Sequence, residues 1–205
     1  LSLPSAHFVG HSFGAPVIFS FYDQFPDRVM SIALVNGFSQ NPIKGMFGLN
    51  VVEQLYAIIK LNYEKNMAMW DNIWKISVNN PLSMWLSGVI GGFNLKLTQY
   101  KDIEVYAKGV SQIPLSVFLP LFESLMGFDG DPILAKIKVP TLIISGEKDA
   151  VTPMKFQQQI HEKIKGSSFV IVPYGSHCTQ LDFPDYVNLK LESHLVGVEN
   201  NKLEV

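Results

Sequence analysis

The chain has 205 residues, of which 47% are hydrophobic and 17% charged, and its formal net charge is −2. A chain of this length can bury one sizeable core, so we expect one domain with an insertion. Lysine and arginine are not clustered, which excludes nucleic acid as an expected partner because phosphate contacts require concentrated positive charge. No run of about 18 uncharged apolar residues is present, so no transmembrane segment is expected. The single cysteine, Cys178, leaves no partner for an internal disulfide, which favours a reducing compartment.

The N-terminal stretch is predicted to form a strand, a helix and a second strand. Residues 6–11 are an apolar run typical of a buried strand, and residues 13–25 have a helical pattern that ends near Pro26. Residues 31–36 are the next apolar run, closed by Gly37. Short connections between these elements predict two neighbouring parallel strands with a right-handed crossover.

A G-x-S-x-G pattern lies between the first strand and the first helix. Residues 10–14 read GHSFG, and this setting is that of a nucleophile elbow, a turn so tight that Ser12 is strained and projects above the strand end. Glycines fit two positions before and two positions after the serine because close neighbours must be small. The pattern also occurs as a glycine-rich turn capped by serine, but the flanking strand and helix favour a catalytic Ser12.

The middle of the chain has mostly helical periodicity and no clear buried strand. Apolar residues from Val51 to Ile59 fall on one helical face, and further helices are predicted around 73–78, ending before Pro81, over 104–112 and over 115–126. All three tryptophans and five of the seven methionines lie between residues 38 and 136. Bulky, adaptable apolar side chains in an insertion are typical of a lid over a pocket, although they can also serve only to pack the lid onto the core.

The alternation of strands and helices resumes after residue 139. Strands are predicted over 140–146 and 168–172, and helices over 154–165 and 186–195. The polar tail from residue 199 is expected to fray.

One titratable residue of a suitable type lies in the loop after each of these two strands. Asp149 follows the first and His177 follows the second. Because carboxyl ends of parallel strands share one edge of a sheet, we expect Ser12, Asp149 and His177 to meet there. A serine hydroxyl is a poor nucleophile at neutral pH, so a histidine must take its proton and a carboxylate must orient that histidine. Along the chain the three residues occur in the order serine, acid, histidine, which is one of the known chain orders of a catalytic triad.

Plainer interpretations of these two residues stay open. Asp149 could cap the helix that is predicted to begin near Pro153, and His177 could be a solvated turn residue. Glu147 is a competing carboxylate, which we rank lower because the acid should lie further beyond the strand.

The other histidines and the cysteine receive no catalytic role. His7 is expected to be a strand residue, His11 to pack inside the elbow, and His161 and His194 to lie on solvated helical faces. Cys178 adjoins His177 and is expected to be a small buried apolar residue. No histidine, cysteine or carboxylate cluster has metal-ligand spacing, and no glycine-rich phosphate loop is present, so neither a metal nor a cofactor is predicted. Residues 91 and 92, two glycines, could form a hinge but are more typical of a turn.

Four segments resemble the α/β-hydrolase superfamily, in particular its esterase, lipase and haloperoxidase-like members with a helical cap. They are residues 8–15 (FVGHSFGA), 25–29 (FPDRV), 139–149 (VPTLIISGEKD) and 175–177 (GSH). The resemblance implies a mostly parallel sheet flanked by helices, with core segments at 1–37 and 137–198, a helical cap at 38–136 and a tail at 199–205. It also implies that the Phe13 N–H is one oxyanion-hole donor. The second donor comes from a loop after an early strand that these residues do not contain, so we expect further strands to precede the chain in a longer protein.

These features predict a serine hydrolase that cleaves a carboxylic ester with an apolar portion. The same three residues also serve hydrolysis of carbon–carbon bonds, amides or lactones, and cofactor-free perhydrolysis, which spacing does not separate. A different class, a non-catalytic module that binds a small ligand on this fold, remains the rival hypothesis. The expected partner is a small molecule in either case.

Overall fold

A computed structural model describes residues 3–43, 46 and 52–203 of the chain. Its centre is a parallel sheet of four strands, in which each strand pairs with the next one along the chain. The strands are Ala6–His11 (β1), Val29–Val35 (β2), Thr141–Gly146 (β3) and Ser168–Val172 (β4). All four strands were predicted, with boundaries within two residues.

The two central strands, β2 and β3, are buried on both faces, as a parallel sheet covered by helices requires. The outer strands β1 and β4 are only partly buried, so the expectation of a buried strand over residues 6–11 is only partly met. Ile32 and Leu34 face one hydrophobic cluster, whereas Ala33 and Val35 face another. The first cluster contains residues of helices Gly14–Gln24 (α1) and Lys155–Lys163 (α8), and the second contains Val187 of helix Pro184–Leu203 (α10). Full burial of each such aliphatic side chain contributes about 1.5–3 kcal/mol, so these clusters hold the sheet between its helices.

In the described part of the chain, six helices lie between β2 and β3. Five of them are Val52–Tyr63 (α2), Met67–Val78 (α3), Pro81–Val89 (α4), Tyr100–Ser111 (α5) and Leu115–Gly127 (α6), and the sixth is the short helix Asp131–Leu134 (α7). A second short helix, Thr179–Asp182 (α9), follows β4. Within the described part of this segment no named strand occurs, and its β-type pairing is an isolated bridge between Gln40 and Asp129. Val51, predicted on the apolar face of the first of these helices, lies outside the described residues.

Helix α4 was not predicted. The sequence prediction ended a helix before Pro81, which agrees with the end of α3 at Val78. Pro81 then opens α4 at its first turn, where a missing N–H costs nothing. The Asn80 side chain accepts a 3.0 Å hydrogen bond from the Ser83 N–H and so caps this helix.

The predicted end of the last helix at Leu195 is wrong, and the tail that was expected to fray from residue 199 is helical as far as Leu203, beyond which it lies outside the described residues. Helix α10 continues to Leu203, with Val198 buried. Glu199 accepts a 2.8 Å hydrogen bond from Nε2 of His7 in β1. A contact with a strand residue this far away in sequence stabilises an extra turn that the polar local sequence does not indicate.

Among the described residues, no single helix has both the length and the apolar composition to cross a membrane; α5 and α6 reach that threshold only as a pair, with a 96° bend between them.

Candidate functional site

Ser12 follows β1 in a strained turn. Its φ is +52°, a left-handed value that costs a non-glycine residue on the order of 1 kcal/mol. The Ser12 N–H donates a 3.0 Å hydrogen bond to the carbonyl oxygen of Val35, which ties the turn to the end of β2. The turn therefore has the strain that the sequence motif predicts, and it aims the hydroxyl at the carboxyl edge of the sheet.

The two glycines of the motif differ in what they allow. A Cβ on Gly10 would lie 2.6 Å from Cδ1 of Ile18 and 2.9 Å from the backbone carbon of Gly14, closer than side chains tolerate. A Cβ on Gly14 would meet no described atom within 4 Å. The expectation that both positions must be small is therefore confirmed at Gly10 and wrong at Gly14.

His177 lies in the loop after β4 and contacts Ser12 directly. Its Nε2 lies 2.9 Å from the Ser12 hydroxyl oxygen, and its Nδ1 lies 3.0 Å from Oδ2 of Asp149. With Nδ1 protonated, the ring donates to the carboxylate and accepts the serine hydroxyl proton at Nε2. The side chain is buried, so the alternative of a solvated turn residue is excluded.

Asp149 uses both carboxylate oxygens. Oδ1 accepts hydrogen bonds from the N–H groups of Val151 and Thr152, at 2.9 and 2.8 Å, while Oδ2 faces His177. It does not cap α8, whose N-cap residue is Met154 without a side-chain cap. The local turn instead fixes the carboxylate in the orientation that reaches the imidazole.

The competing carboxylate, Glu147, points elsewhere. It is exposed and accepts a 3.0 Å hydrogen bond from the Tyr174 N–H, which, with the neighbouring Lys148, holds the Glu147 pKa below its usual value. In the described structure its oxygens make no contact with His177, so of the two candidates only Asp149 pairs with the imidazole.

Asn36 organises this edge, and sequence reasoning missed it. It follows β2 with a φ of +49° and is completely buried. Its amide donates to the carbonyl oxygens of Ser176 and His177, at 3.0 and 2.6 Å, and its side-chain oxygen accepts from the Gly146 N–H at 2.7 Å. Asparagine tolerates left-handed backbone, so an asparagine directly after a buried strand was an available signal.

Thr152 is a second residue that the sequence did not indicate. Its hydroxyl donates to Oδ2 of Asp149 at 2.8 Å and lies 3.2 Å from Nδ1 of His177. The same oxygen lies 3.0 Å from the backbone carbonyl of Asn36. Thr152 thus joins the carboxylate loop to the end of β2, but nothing local in the sequence distinguishes it from other loop threonines.

His11 packs inside the elbow as expected and also contacts His177. The two ring centroids are 4.8 Å apart, and Nε2 of His11 donates to the His177 carbonyl oxygen at 2.9 Å. Burial, with a further contribution from His177, lowers the His11 pKa from 6.5 to about 4. His11 is therefore neutral at physiological pH and supports the backbone of the loop that carries His177.

The remaining histidines are partly buried, so the expectation of solvated faces for His161 and His194 is wrong. His161 stacks on Phe169 of β4 and hydrogen-bonds Ser167. His194 lies on the sheet side of α10, and burial lowers its pKa. Both face the sheet because their helices pack on it, which periodicity alone did not establish.

Cys178 is buried, as expected, in a cluster with residues of α4 and α5. Burial raises the pKa of its thiol well above the usual range. The thiol is therefore neutral and packs as an apolar group.

A mostly apolar pocket of about 470 Å³ opens above Ser12 and His177. Helices α4, α5 and α6 supply part of its walls, with Phe118 and Phe122 among the lining residues. The Phe13 N–H has no acceptor among the described residues and lies at the N-terminal end of α1, where the helix dipole favours negative charge. An oxygen atom of a ligand beside Ser12 can therefore be stabilised there.

The helical segment is joined to the histidine loop by its backbone. The carbonyl oxygens of Gly91 and Gly92 accept 3.1 Å hydrogen bonds from the N–H groups of His177 and Cys178. Gly91 and Gly92 lie in a turn, with Gly91 at a φ of +89°. The turn thus connects the pocket wall to the imidazole.

Within residues 3–43, 46 and 52–203, no group of three or more histidine, cysteine, aspartate or glutamate side chains is arranged to hold a metal ion.

Comparison with known proteins gives long matches at low identity and shorter matches at higher identity. The karrikin insensitive 2 receptor IA of Petunia hybrida is 23% identical over 95% of this chain and 66% of its own length. The human serine hydrolase BPHL is 36% identical over 63 residues, which is 31% of this chain and 22% of that protein. A thermophilic esterase of known structure has a TM-score of 0.64 at 22% identity, over 96% of this chain and 68% of that one.

Nearly the whole of this chain thus matches the petunia receptor and the thermophilic esterase, but it spans only about two thirds of the length of each. A sequence model of the α/β hydrolase fold matches residues 1–184, which include the whole sheet and all the site loops described above. The chain belongs to the α/β hydrolase fold family.

Proposed function

We propose that Ser12, His177 and Asp149 are the catalytic triad of a serine hydrolase that cleaves a carboxylic ester. The observation that carries this proposal is the continuous hydrogen-bonded chain from the Ser12 hydroxyl through both imidazole nitrogens to Oδ2 of Asp149, with distances of 2.9 and 3.0 Å. These contacts match the reach that proton transfer and nucleophile activation require. The similarity to a serine hydrolase and to an esterase supports the same chemistry.

The reaction follows from the position of each group. As the Ser12 oxygen attacks the ester carbonyl carbon, its proton moves to Nε2 of His177, and the carbonyl oxygen becomes an oxyanion that accepts from the Phe13 N–H. Asp149 stabilises the imidazolium through Nδ1–H. When the carbon–oxygen bond to the alcohol breaks, Nε2 returns the proton to the leaving oxygen. Water then attacks the acyl-serine by the same route and frees the acid.

The pocket supports an ester with an apolar portion. Its walls carry Phe118, Leu121, Phe122 and other apolar side chains of the helical segment, which remove apolar substrate surface from water. We propose that residues 38–136 act as a cap over the site, between core segments 1–37 and 137–198. Trp70 and Trp74 do not line the described pocket but pack within this helical segment, where Trp74 lies against the wall residue Phe118 with ring centroids 4.5 Å apart.

A panel of substrates tests the reaction class. We expect hydrolysis of p-nitrophenyl esters of short and medium acyl chains, reduced on the order of 10⁴-fold or more by Ser12→Ala and by Asp149→Asn. Glu147→Gln is the matched control, because this carboxylate faces Tyr174 and should leave the rate unchanged. Amide, lactone and carbon–carbon bond substrates in the same panel identify the alternative reactions.

A binding function without catalysis is the competing outcome. The similarity to a protein named as a receptor is the reason to test for binding without catalysis. Saturable binding of a small ligand by folded protein, with no turnover of any substrate in the panel, would replace the hydrolase proposal.

A further inference from the structure

The pocket above Ser12 is apolar apart from a few groups, and these groups decide what can orient a substrate. Among the described residues, the helical segment contributes two hydroxyl groups to the lining, those of Ser87 and Tyr106. The Ser87 hydroxyl already donates a 2.8 Å hydrogen bond to the carbonyl oxygen of Met84 in its own helix. The Tyr106 hydroxyl has no hydrogen-bond partner in the described part of the chain.

Tyr106 is held in place without using its hydroxyl. Its ring packs edge-on against Phe93, with centroids 5.4 Å apart and ring planes at 83°. Phe93 follows the turn whose carbonyl groups accept from the histidine loop. The tyrosine ring thus packs on a residue next to the turn that supports His177, and its hydroxyl is accessible to a bound molecule.

The Tyr106 hydroxyl is a donor at physiological pH. Burial, with a smaller contribution from Cys178, raises its pKa to about 12. The thiol of Cys178 is itself kept neutral by burial, so among the described residues that line the pocket no charged group competes for the phenol proton.

We propose that Tyr106 is a specificity-determining residue whose hydroxyl donates a hydrogen bond to a second oxygen of the substrate, apart from the reacting ester group. The inference rests on the proposed hydrolase function and narrows its substrate class. The preferred ester carries an ether, keto or hydroxyl oxygen within an otherwise apolar chain. Tyr106 is 38% exposed. A bound ester made only of hydrocarbon would displace water from the Tyr106 hydroxyl without replacing its hydrogen bond, which lowers the relative affinity of that ester.

Isosteric ester pairs test the proposal by exchanging one methylene for oxygen. p-Nitrophenyl pentanoate is compared with p-nitrophenyl ethoxyacetate and p-nitrophenyl 3-methoxypropanoate, and butyl pentanoate with 2-methoxyethyl pentanoate. Wild-type protein and Tyr106→Phe are compared on each ester, so that intrinsic reactivity cancels. We expect Tyr106→Phe to lower kcat/KM about three- to tenfold for at least one oxygen-containing ester, through KM, and to leave its hydrocarbon partner unchanged.

Tyr100→Phe, an exposed tyrosine on the same helix, is the matched control and should change neither ester of a pair. An equal loss on both esters of every pair would show that Tyr106 only supports the fold, and an unchanged preference would show that its hydroxyl does not meet the substrate. Either result overturns the proposal.

A separate measurement distinguishes failure of the hydrolase proposal from failure of the proposal for Tyr106. If a fluorophosphonate does not label Ser12 and no ester is cleaved, the same intact ester pairs are titrated by calorimetry against wild-type protein and Tyr106→Phe. Weaker binding of an oxygen-containing ester to Tyr106→Phe would support the role of Tyr106 in a binding protein. Equal binding of both esters by both proteins would overturn it.

Discussion

The side-chain nitrogen of Asn36 lies 2.6 Å from the backbone carbonyl oxygen of His177. A buried amide at the end of one strand thus fixes the loop after another strand, and with it the imidazole that contacts Ser12. His11 donates to the same carbonyl oxygen from the end of a third strand, β1. The position of His177 therefore depends on residues that do not take part in the proposed proton transfers.

Two substitutions of Asn36 should separate the stability that its side-chain hydrogen bonds contribute from the cost of its positive φ. Asn36→Ala leaves the buried carbonyl groups of Ser176 and His177 without this donor, and we expect unfolding to become easier by about 3 kcal/mol or more. Asn36→Gly loses the same hydrogen bonds but tolerates the positive φ, so it should be about 1 kcal/mol more stable than the alanine variant. Urea unfolding measures both; wild-type stability in Asn36→Ala would contradict this role.

The two motif glycines should respond in opposite ways to alanine. Gly10→Ala forces a Cβ against Ile18 and the backbone of Gly14, so we expect a loss of about 1–3 kcal/mol and a displaced Ser12. Gly14→Ala meets open space at the start of α1 and should be neutral, or more stable by up to about 1 kcal/mol. Thermal unfolding of the pair checks this, and equal destabilisation by both substitutions would refute the steric account.

Gly91 should be similarly intolerant because it joins the helical segment to the histidine loop. Its φ is +89°, and a Cβ would lie 2.8 Å from Cβ of Ala150. We expect Gly91→Ala to lower both stability and esterase kcat, since the Gly91 carbonyl accepts from the His177 N–H. Gly109→Ala in α5, where a Cβ meets no described atom within 4 Å, is the control and should keep wild-type kcat. Unchanged kcat in Gly91→Ala would show that this turn does not position His177.

The lowered pKa of His11 predicts a loss of stability on acidification. The folded protein binds this proton near pH 4, whereas the unfolded chain binds it near pH 6.5. The stability linked to neutral His11 is therefore complete above about pH 6.5 and is lost as the pH falls towards 4. Between about pH 7.5 and pH 5 the loss amounts to about 2 kcal/mol of unfolding free energy. His11→Phe should reduce the difference in unfolding free energy between these two pH values, measured by urea titration. An identical difference in wild-type and variant would show that His11 does not cause it.

The sequence predicted the sheet well because each strand is a continuous apolar run bounded by proline, glycine or polar residues. It predicted helix boundaries less well where distant contacts decide them. The final turns of α10 contact His7, and periodicity cannot show that a strand residue near the N-terminus reaches Glu199. Helix α4 was missed because Pro81 was interpreted only as the end of a helix.

Some residues of the candidate site could be predicted from the sequence and others could not, for similar reasons. Ser12, Asp149 and His177 could be proposed because each follows a strand and has a residue type that the chemistry requires, and the structure brings the three together. Asn36 and Thr152 were missed because their importance depends on how three loops meet. His161 and His194 were placed on the wrong faces because the packing side of a helix was judged without the sheet.

Reaction of the protein with a fluorophosphonate tests the central claim most directly, with the adduct located by intact mass and peptide mapping. An activated serine should give a single adduct on Ser12, absent in Ser12→Ala and formed much more slowly in Asp149→Asn. Folded protein that gives no adduct, or an adduct that persists in Ser12→Ala, would contradict the assignment of Ser12, His177 and Asp149 as a working triad.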